Sequence, residues 1–418
     1  MESDHLGRTY YGLLGQSSAF NSGFKVAQVC LTWFVFTNTH SATEVGLVAI
    51  VETLAIFTVS LPVGTVVDRI NKGYLLLVSG LMGVAAFSIL TFSSAFLAFS
   101  IIPVLVLAAV WGMSREIYRS TALSTLPDLV RPEILPRANG LFRVLNSSLG
   151  SVSNALAGGL IVFFGIAAGF SFSIGAYLVS SFFAGFMILP FMARRGTPAS
   201  AKAGSYRNML SDLREGFRWL VGSKGFFLLT VSATFFNFFM AMAVTYYVIY
   251  AASGINGGSV AYGLIMASMA AGDVTGSLIP GRIDLLRHSG KLNVVLYGGA
   301  TGAGTLIMGL FPSFLTAIIF TFISGVCLGT AINLWLTTAH NVVPENMRGR
   351  YFALDGVLST LGPAAIATGA VVISLAGILE DFIISGILLL CFTLVFSLMK
   401  SLWALDGSIS TQTTTRIP

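Results

Sequence analysis

Charged residues are scarce in this sequence. Its 418 residues include 23 Lys and Arg and 17 Asp and Glu, which make up 10% of the chain, whereas hydrophobic residues make up 55%. Soluble globular proteins carry about 25% charged residues, and disordered chains are poorer in apolar residues than this one. The composition therefore excludes a disordered chain, a nucleic-acid binder and an ordinary soluble enzyme, and it indicates a protein that lies largely in lipid.

Cysteine and histidine are also few. Cys30, Cys327 and Cys391 lie far apart in apolar runs, and the 4 His are scattered. The sequence contains no His-Glu-x-x-His, no Walker loop and no serine nucleophile elbow. We therefore expect no metal site, disulfide framework, cofactor or enzymatic activity. The start of the chain, MESDHLGRTYYG, is polar and acidic, so no cleaved signal peptide is predicted.

Long apolar runs dominate the rest of the chain. A bilayer core about 30 Å thick is crossed by about 20 residues of α-helix. The runs are continuous and do not alternate, which favours helices over a β-barrel. The sequence predicts an all-α integral membrane protein with twelve transmembrane helices, at 11–37, 43–66, 74–92, 96–124, 139–165, 168–192, 225–251, 259–280, 291–311, 313–339, 352–376 and 381–403.

Basic residues occur in alternate loops. One set of loops and the two termini hold most of them, whereas the loops near 38–42, 93–95, 165–168, 252–258, 312 and 377–381 hold none. By the positive-inside rule, both termini are predicted to be cytoplasmic in a multi-pass protein of the plasma membrane.

A weak internal repeat supports this topology. With one constant offset, Pro132-Glu133 aligns with Pro344-Glu345, and Leu149-Gly150 with Leu361-Gly362. Two parallel six-helix bundles would leave such a repeat. The predicted domains are 1–192, a cytoplasmic linker 193–224, and 225–418. The linker is interpreted as a tether, and a regulatory or partner-binding role is the alternative.

The loop after predicted helix 2 carries a recognisable motif. Gly64 is followed by Asp68-Arg69 and then Lys72. This spacing resembles the loop signature of the major facilitator superfamily. The resemblance implies alternating access, in which two bundles rock around a cavity lined mainly by helices 1, 4, 7 and 10. It also implies that Asp68 meets the N-terminus of helix 11 and pairs with Arg69 or Arg350, although a solvated loop charge is the simpler reading.

Other segments resemble the multidrug and siderophore-export branch of that superfamily, which includes macrolide-efflux and enterobactin-exporter-like proteins. The segments are 126–130, 135–140, 214–220 and 343–350. Predicted helix 5 carries Gly150, Gly158 and Gly159, the glycine frame of the family's antiporter motif, with Asn154-Ala155 at its Gly-Pro position. Glycines at such spacing let helices approach closely in lipid, and we assign them to conformational change.

Ionisable residues inside the spans are candidates for proton coupling, because each costs about 2.5–3.5 kcal/mol to insert. Arg115, Glu116 and Arg119 share one side of predicted helix 4. If helices 1 and 4 both face the cavity, Lys25 approaches Glu116 there. We predict Glu116 as the coupling acid, with Asp273 and Glu52 as further candidates. A static ion network that fixes helix packing is the alternative.

Gating is assigned to two more ionisable residues, Arg143 and Asp355, and Asp273 is the expected partner of Arg143. Arg143 and Asp273 lie in the cytoplasmic halves of predicted helices 5 and 8, so a pair between them would form and break as the bundles rock. Simple charge compensation is the alternative. Asp355 begins predicted helix 11 near the cytoplasmic surface, where water reaches it.

The predicted cavity is aromatic with few polar groups. We assign to it Lys25, Arg115, Arg119, Asn237, Tyr246, Asn333 and Trp335. Such a lining suits a hydrophobic or amphipathic ligand better than a sugar, which needs many hydrogen-bond partners. Most of the 33 Phe must pack against helices or lipid, so packing is the alternative role for each aromatic residue.

The sequence thus predicts a monomeric secondary transporter that exports a drug-like compound or siderophore in exchange for protons. Its partners are a small-molecule substrate, the lipid bilayer and protons. Solute uptake or lipid transport by the same fold is the first alternative, and an integral-membrane enzyme or a channel is a distant one. Because no nucleotide-binding motif is present, uphill transport must draw on an ion gradient.

Overall fold

The computed structural model describes residues 7–96, 98–131, 134–195, 206–279, 289–344, 347, 351, 354, 358, 361–400 and 402. Within these ranges the chain is almost entirely helical, and no residue is in a β-strand. The predicted all-helical class is therefore confirmed. The prediction of twelve crossings in two six-helix bundles stays a prediction.

The first six helices coincide with the first six predicted runs. They are α1 Arg8–Thr39, α2 Ala42–Arg69, α3 Lys72–Phe96, α4 Ile101–Leu129, α5 Leu135–Phe164 and α6 Ile166–Phe183. Helix α6 continues through a π-helical turn, Ala184–Ile188, into Leu189–Arg195. Such turns add one residue to a helix and recur at functional positions.

The later helices include one that the sequence pattern left out. This is α7, Tyr206–Gly222, which lies in the predicted linker. It precedes α8, which runs Lys224–Thr245 and continues through Tyr247–Ile249 and the π-turn Tyr250–Gly254. The others are α9 Gly258–Leu278, α10 Ser289–Asn293 with the π-segment Val294–Ala300 and Thr301–Leu310, α11 Phe314–Val342, α12 Gly362–Leu375 and α13 Ile378–Ser397. Predicted helices 7 to 12 therefore correspond to α8 to α13.

Length and hydropathy support membrane crossing for most of these helices. In the described residues, 8 helices are long and apolar enough to span a bilayer, and 294–310 and 362–375 are shorter apolar helices. Helices α1 and α9 are outside both groups. Each carries polar residues that lower its mean hydropathy, such as Gln16 and Ser17 in α1 and Ser259 and Asp273 in α9. Gln16 donates a hydrogen bond to Ser180 at 3.0 Å, so this polar group is satisfied by a neighbouring helix.

The chain divides into two compact units. Unit 1 contains residues Met1–Ala203 and Gly257–Ala267, and unit 2 contains Gly204–Asn256 and Ser268–Pro418. In unit 1, Trp111 donates a hydrogen bond to the Tyr177 hydroxyl at 2.8 Å and stacks on Phe24. In unit 2, Leu220 of α7 packs with Phe226 and Tyr351, which holds this amphipathic helix to the bundle.

Close helix crossings in unit 2 are made by glycines. Gly272 and Gly276 of α9 face Gly325 and Gly329 of α11. A Cβ at Gly276 would overlap the carbonyl of Val326, and one at Gly325 would overlap the carbonyl of Met269. The two backbones are therefore in direct contact, and lipid-embedded helices gain dispersion contacts in this way.

Unit 1 has a similar crossing. A Cβ at Gly158 of α5 would lie 2.7 Å from the Ser259 carbonyl oxygen, and one at Gly263 would lie 2.8 Å from that of Asn154. Gly159, the next residue, has nothing within 4 Å of an added Cβ. The first part of α9 thus packs on α5 through Gly158 and not through Gly159.

Candidate functional site

Unit 2 contains a cavity of about 380 Å³. It lies among α8, α10, α11 and the start of α12. The lining residues are Ala233, Thr234, Asn237, Phe238, Ala241, Asn293, Tyr297, Ala331, Ile332, Trp335, Leu358, Leu361 and Gly362. Aromatic and aliphatic groups thus form most of the wall, and a few amide and hydroxyl groups interrupt it.

Hydrogen bonds join polar groups of the cavity wall to neighbouring helices. The Tyr297 hydroxyl donates a hydrogen bond to Oδ1 of Asn237, which joins α10 to α8. Asn293 lies one turn before Tyr297 and donates to the Ala331 carbonyl of α11 at 2.9 Å. Tyr297 is within the π-segment of α10, and such segments are frequent at functional sites. Since Oδ1 of Asn237 is engaged, its amide NH2 is the group it offers to a ligand.

Two of the predicted cavity residues line this site. Asn237 and Trp335 are both in the wall. Tyr246 is fully buried elsewhere, where its hydroxyl donates to the Ile366 carbonyl at 2.7 Å, and Asn333 donates to the Gly329 carbonyl at 3.0 Å. Their side chains therefore serve helix packing in this structure.

Sequence reasoning missed three polar lining residues, Thr234, Asn293 and Tyr297. A signal for the last two was present. They are four residues apart in an apolar run, so they share one face of a helix. The sequence could not predict their hydrogen-bond partners, because Ala331, the partner of Asn293, and Asn237, the partner of Tyr297, belong to other helices.

In unit 1, Glu116 is buried in an ion pair. Arg119 donates to both of its carboxylate oxygens, from Nε at 2.9 Å and from Nη2 at 2.7 Å, and Ser120 donates at 3.0 Å. The side chain of Glu116 is 3% exposed, whereas that of Arg119 is 59% exposed. The guanidinium thus contacts the carboxylate at two points, which fixes the geometry of the pair. The acid is therefore enclosed, whereas its cation is mostly exposed.

The third member of the predicted trio, Arg115, has a different partner. Its Nη1 lies 3.4 Å from Oε1 of Glu52 on α2, and its guanidinium lies 4.5 Å from the ring centre of Phe24. The trio is thus split into two pairs on α4. Lys25, which we expected near Glu116, lies against Gly150 of α5 with its aliphatic chain.

The motif loop is partly described. Lys72 donates to Asp128 at 2.6 Å and to the Ser124 carbonyl at 2.8 Å, so it ties the start of α3 to the end of α4. Arg69 is exposed. The side chains of Gly64 and Asp68, and all of Arg350 and Asp355, lie outside the described residues, so their predicted roles stay predictions.

The predicted Arg143 and Asp273 pair also stays a prediction. Arg143 is exposed in unit 1. Asp273 belongs to unit 2, where its carboxylate lies against Gly329.

The sequence is similar to those of known membrane transporters. The sequence profile of transmembrane secretion effectors, a family of the major facilitator type, matches residues 10–412. Among the relatives is the staphyloferrin A transporter of Staphylococcus aureus, 23% identical over 89% of this chain and 91% of that protein. Macrolide efflux protein A of Streptococcus pyogenes is 20% identical over 91% and 93%, and the enterobactin exporter EntS of Citrobacter koseri is 26% identical over 78% and 76%.

Solved structures share the fold at low identity. A bacterial homologue of the iron transporter ferroportin, crystallised in the inward-facing state, aligns with a TM-score of 0.72 and 16% identity over 96% of this chain and 100% of that one. A peptide transporter of the POT family in complex with sulfate aligns with a TM-score of 0.75 and 11% identity over 96% and 95%. With an all-helical fold, apolar spans and a profile match over nearly its whole length, the chain belongs to the transmembrane secretion effector family of major facilitator transporters.

Proposed function

We propose that this transporter exports a hydrophobic or amphipathic small molecule, a drug-like compound or a siderophore, in exchange for protons. The observation that carries the proposal is the cavity of unit 2, whose wall is mainly apolar and aromatic with Asn237, Asn293 and Tyr297 as its hydrogen-bonding groups. Such a wall buries the apolar body of a ligand and fixes its orientation with a few polar contacts. The relatives named for macrolide efflux and enterobactin export support this substrate class.

Alternating access is part of the proposal. The glycine contact of Gly158 with residues 259–263 provides a smooth surface on which helices can slide. We assign to gating the motif residues Gly64, Asp68, Arg69 and Lys72, the charged residues Arg143 and Asp355, and the glycines Gly150, Gly158 and Gly159. Lys72 would act through its Asp128 pair. We also propose a monomer with both termini in the cytoplasm.

Glu116 is the proposed proton carrier, and Asp273 and Glu52 remain further candidates. Its carboxylate is enclosed, and the cation that pairs with it, Arg119, is mostly exposed. If Arg119 swings away, the buried carboxylate loses its counter-charge and takes up a proton in preference to standing ionised in a low dielectric. Return of the guanidinium then expels the proton. Unit 1 would thus couple a proton to the movement of a side chain.

Glu116→Gln tests this coupling. The amide keeps the shape of the side chain and a hydrogen bond from Arg119 but cannot carry a proton. We expect uptake driven by a pH gradient into inverted vesicles to fall at least about tenfold, while exchange of labelled for unlabelled substrate persists. Glu215→Gln on the exposed face of α7 is the matched control and should behave as wild type. Unchanged gradient-driven uptake by Glu116→Gln would remove Glu116 from the coupling step.

Tyr297→Phe tests the cavity. Loss of the hydroxyl removes the bond to Asn237, whose freed oxygen then turns toward the ligand. We expect the substrate KM to rise about fivefold, which corresponds to about 1 kcal/mol, with little change in protein yield. Tyr74→Phe, at an exposed position of α3, should leave the KM unchanged. Equal KM values for both variants and wild type would place the substrate elsewhere.

A further inference from the structure

A second enclosed acid lies in unit 2, in the first turn of α13. Asp381 is 0% exposed, and neither of its carboxylate oxygens has a hydrogen-bond partner among the described residues. Ser385, one turn further along the same face, is also 0% exposed, and its hydroxyl is likewise unpartnered there. Buried polar groups nearly always have a hydrogen-bond partner. Two buried side chains without one, on the same face of one helix, therefore indicate that a ligand binds there.

Among the described residues, the surroundings of Asp381 offer it no counter-charge. On the α8 side, Tyr246 lies near Asp381, and Tyr247 and Tyr250 contact the ring of the adjacent Phe382. The hydroxyls of Tyr246 and Tyr250 already donate to the carbonyls of Ile366 and Met308. Two other segments packed on α13, residues 301–310 of α10 and 362–375 of α12, contain no ionisable residue. The π-segment Val294–Ala300, which also packs on α13, carries Tyr297, whose hydroxyl donates to Asn237. On α13 itself, Glu380 is exposed and of the same charge.

Tight packing fixes this arrangement. Backbone atoms of Leu379 and Ile383 lie close to Gly309 of α10, where an added Cβ would come within 3.0 Å of both. The ring of Phe382 stacks on Tyr250 with centroids 4.5 Å apart. The first turn of α13 is therefore held from two sides, and Asp381 cannot turn out to water without displacing a neighbour.

We propose that Asp381 and Ser385 form a proton-binding site in unit 2, separate from Glu116 in unit 1. An ionised carboxylate without a cation or hydrogen bond in a membrane protein interior is strongly destabilised, whereas one proton removes the charge. The acid can then donate to the Ser385 hydroxyl, which satisfies both groups. Sodium fits less well, since three oxygens from two side chains supply only part of a cation's coordination shell.

The role of this proton in export rests on the proposed function. Asp381 lies at the end of α13 that the distribution of basic residues assigns to the outer face. A proton taken up there would enter unit 2 from the side opposite to the cytoplasm. The transporter would then carry one acid in each unit.

Infrared difference spectroscopy of the purified full-length protein in lipid vesicles tests the site without any substrate. A protonated carboxylic acid has a carbonyl stretch of its own. We expect a pH-dependent band of this kind in wild type, its loss in Asp381→Asn, and its retention in the matched control Glu380→Gln. Addition of sodium chloride at constant pH should leave the band in place. A band that Asp381→Asn does not change, or that sodium alone removes, overturns the proposal.

Two further measurements keep the outcome clear. If Asp381→Asn does not accumulate as folded protein, Ser385→Ala replaces it, and the band should shift because the acid loses its acceptor; an unshifted band contradicts the site. In vesicles with an imposed pH gradient, Asp381→Asn should lower substrate export at least about tenfold. If wild type itself exports no tested compound, the proposed function fails, while the infrared result still decides on Asp381.

Discussion

Replacing Gly276 by leucine is expected to abolish the folded protein. The Cβ alone would overlap the carbonyl of Val326, and Gly276 is one of four glycines that bring α9 and α11 into backbone contact. A rigid backbone atom cannot yield as a flexible side chain can, so the helices must separate and lose contacts with each other along their crossing. We expect a destabilisation of at least about 3 kcal/mol, seen as loss of the monodisperse peak in size-exclusion chromatography and of the thermal transition.

Gly175→Leu is the matched control for this prediction. Gly175 is exposed on α6, and an added Cβ there has nothing within 4 Å. It carries the same helix-propensity gain and the same added volume without a clash, so its yield and melting temperature should equal those of wild type. Gly276→Ala should fall between the two. A Gly276→Leu protein as stable as the control would show that α9 and α11 do not pack through these glycines.

Arg119→Leu is expected to have the second largest effect. It removes from the Glu116 carboxylate, 3% exposed, the guanidinium that donates to both of its oxygens. Breaking a fully buried pair costs about 3–5 kcal/mol; because Arg119 is 59% exposed, we expect about 2–3 kcal/mol here. Thermal unfolding followed by tryptophan fluorescence or by aggregation measures the loss.

A double variant separates charge from packing. In Arg119→Leu with Glu116→Gln no buried charge is left unpaired, so most of the lost stability should return, while gradient-driven transport should remain low. Arg214→Leu, at an exposed position of α7, is the control for loss of a surface arginine and should have little effect. If the double variant is as unstable as Arg119→Leu, the guanidinium stabilises the protein through contacts other than Glu116.

The helices were largely predictable because their signal is local. Apolar runs of bilayer length coincide with the helices of the described residues, and both Ser41 and Ser313 cap helices at predicted loops. Helix α7 was missed because its mean hydropathy is low; its pattern is amphipathic, and Leu220 packs inward. The π-segment at Val294–Ala300 had no sequence signal, since it depends on packing against other helices.

The sites were less predictable because their partners are distant in sequence. The spacing of Arg115, Glu116 and Arg119 predicted one cluster, but Arg115 pairs with Glu52 of α2 instead. The hydroxyl of Tyr297 donates to Asn237 on another helix, and the periodicity of a single helix does not predict such a contact. The sequence places Asp381 at the boundary between an outer loop and predicted helix 12, and gives no sign of the full burial that it has in the first turn of α13. Whether a residue near a helix end is buried depends on the helices that pack around it, and not on the apolar stretch of sequence in which it lies.

The most direct test of export by proton exchange is accumulation of labelled compounds in inverted membrane vesicles with an imposed pH gradient, acid inside. The panel should include a macrolide, a siderophore, a sugar and a peptide. We predict that at least one amphipathic compound accumulates, that the sugar does not, and that collapse of the gradient or Glu116→Gln abolishes accumulation. Accumulation that neither treatment changes, or transport of the sugar alone, would contradict the account.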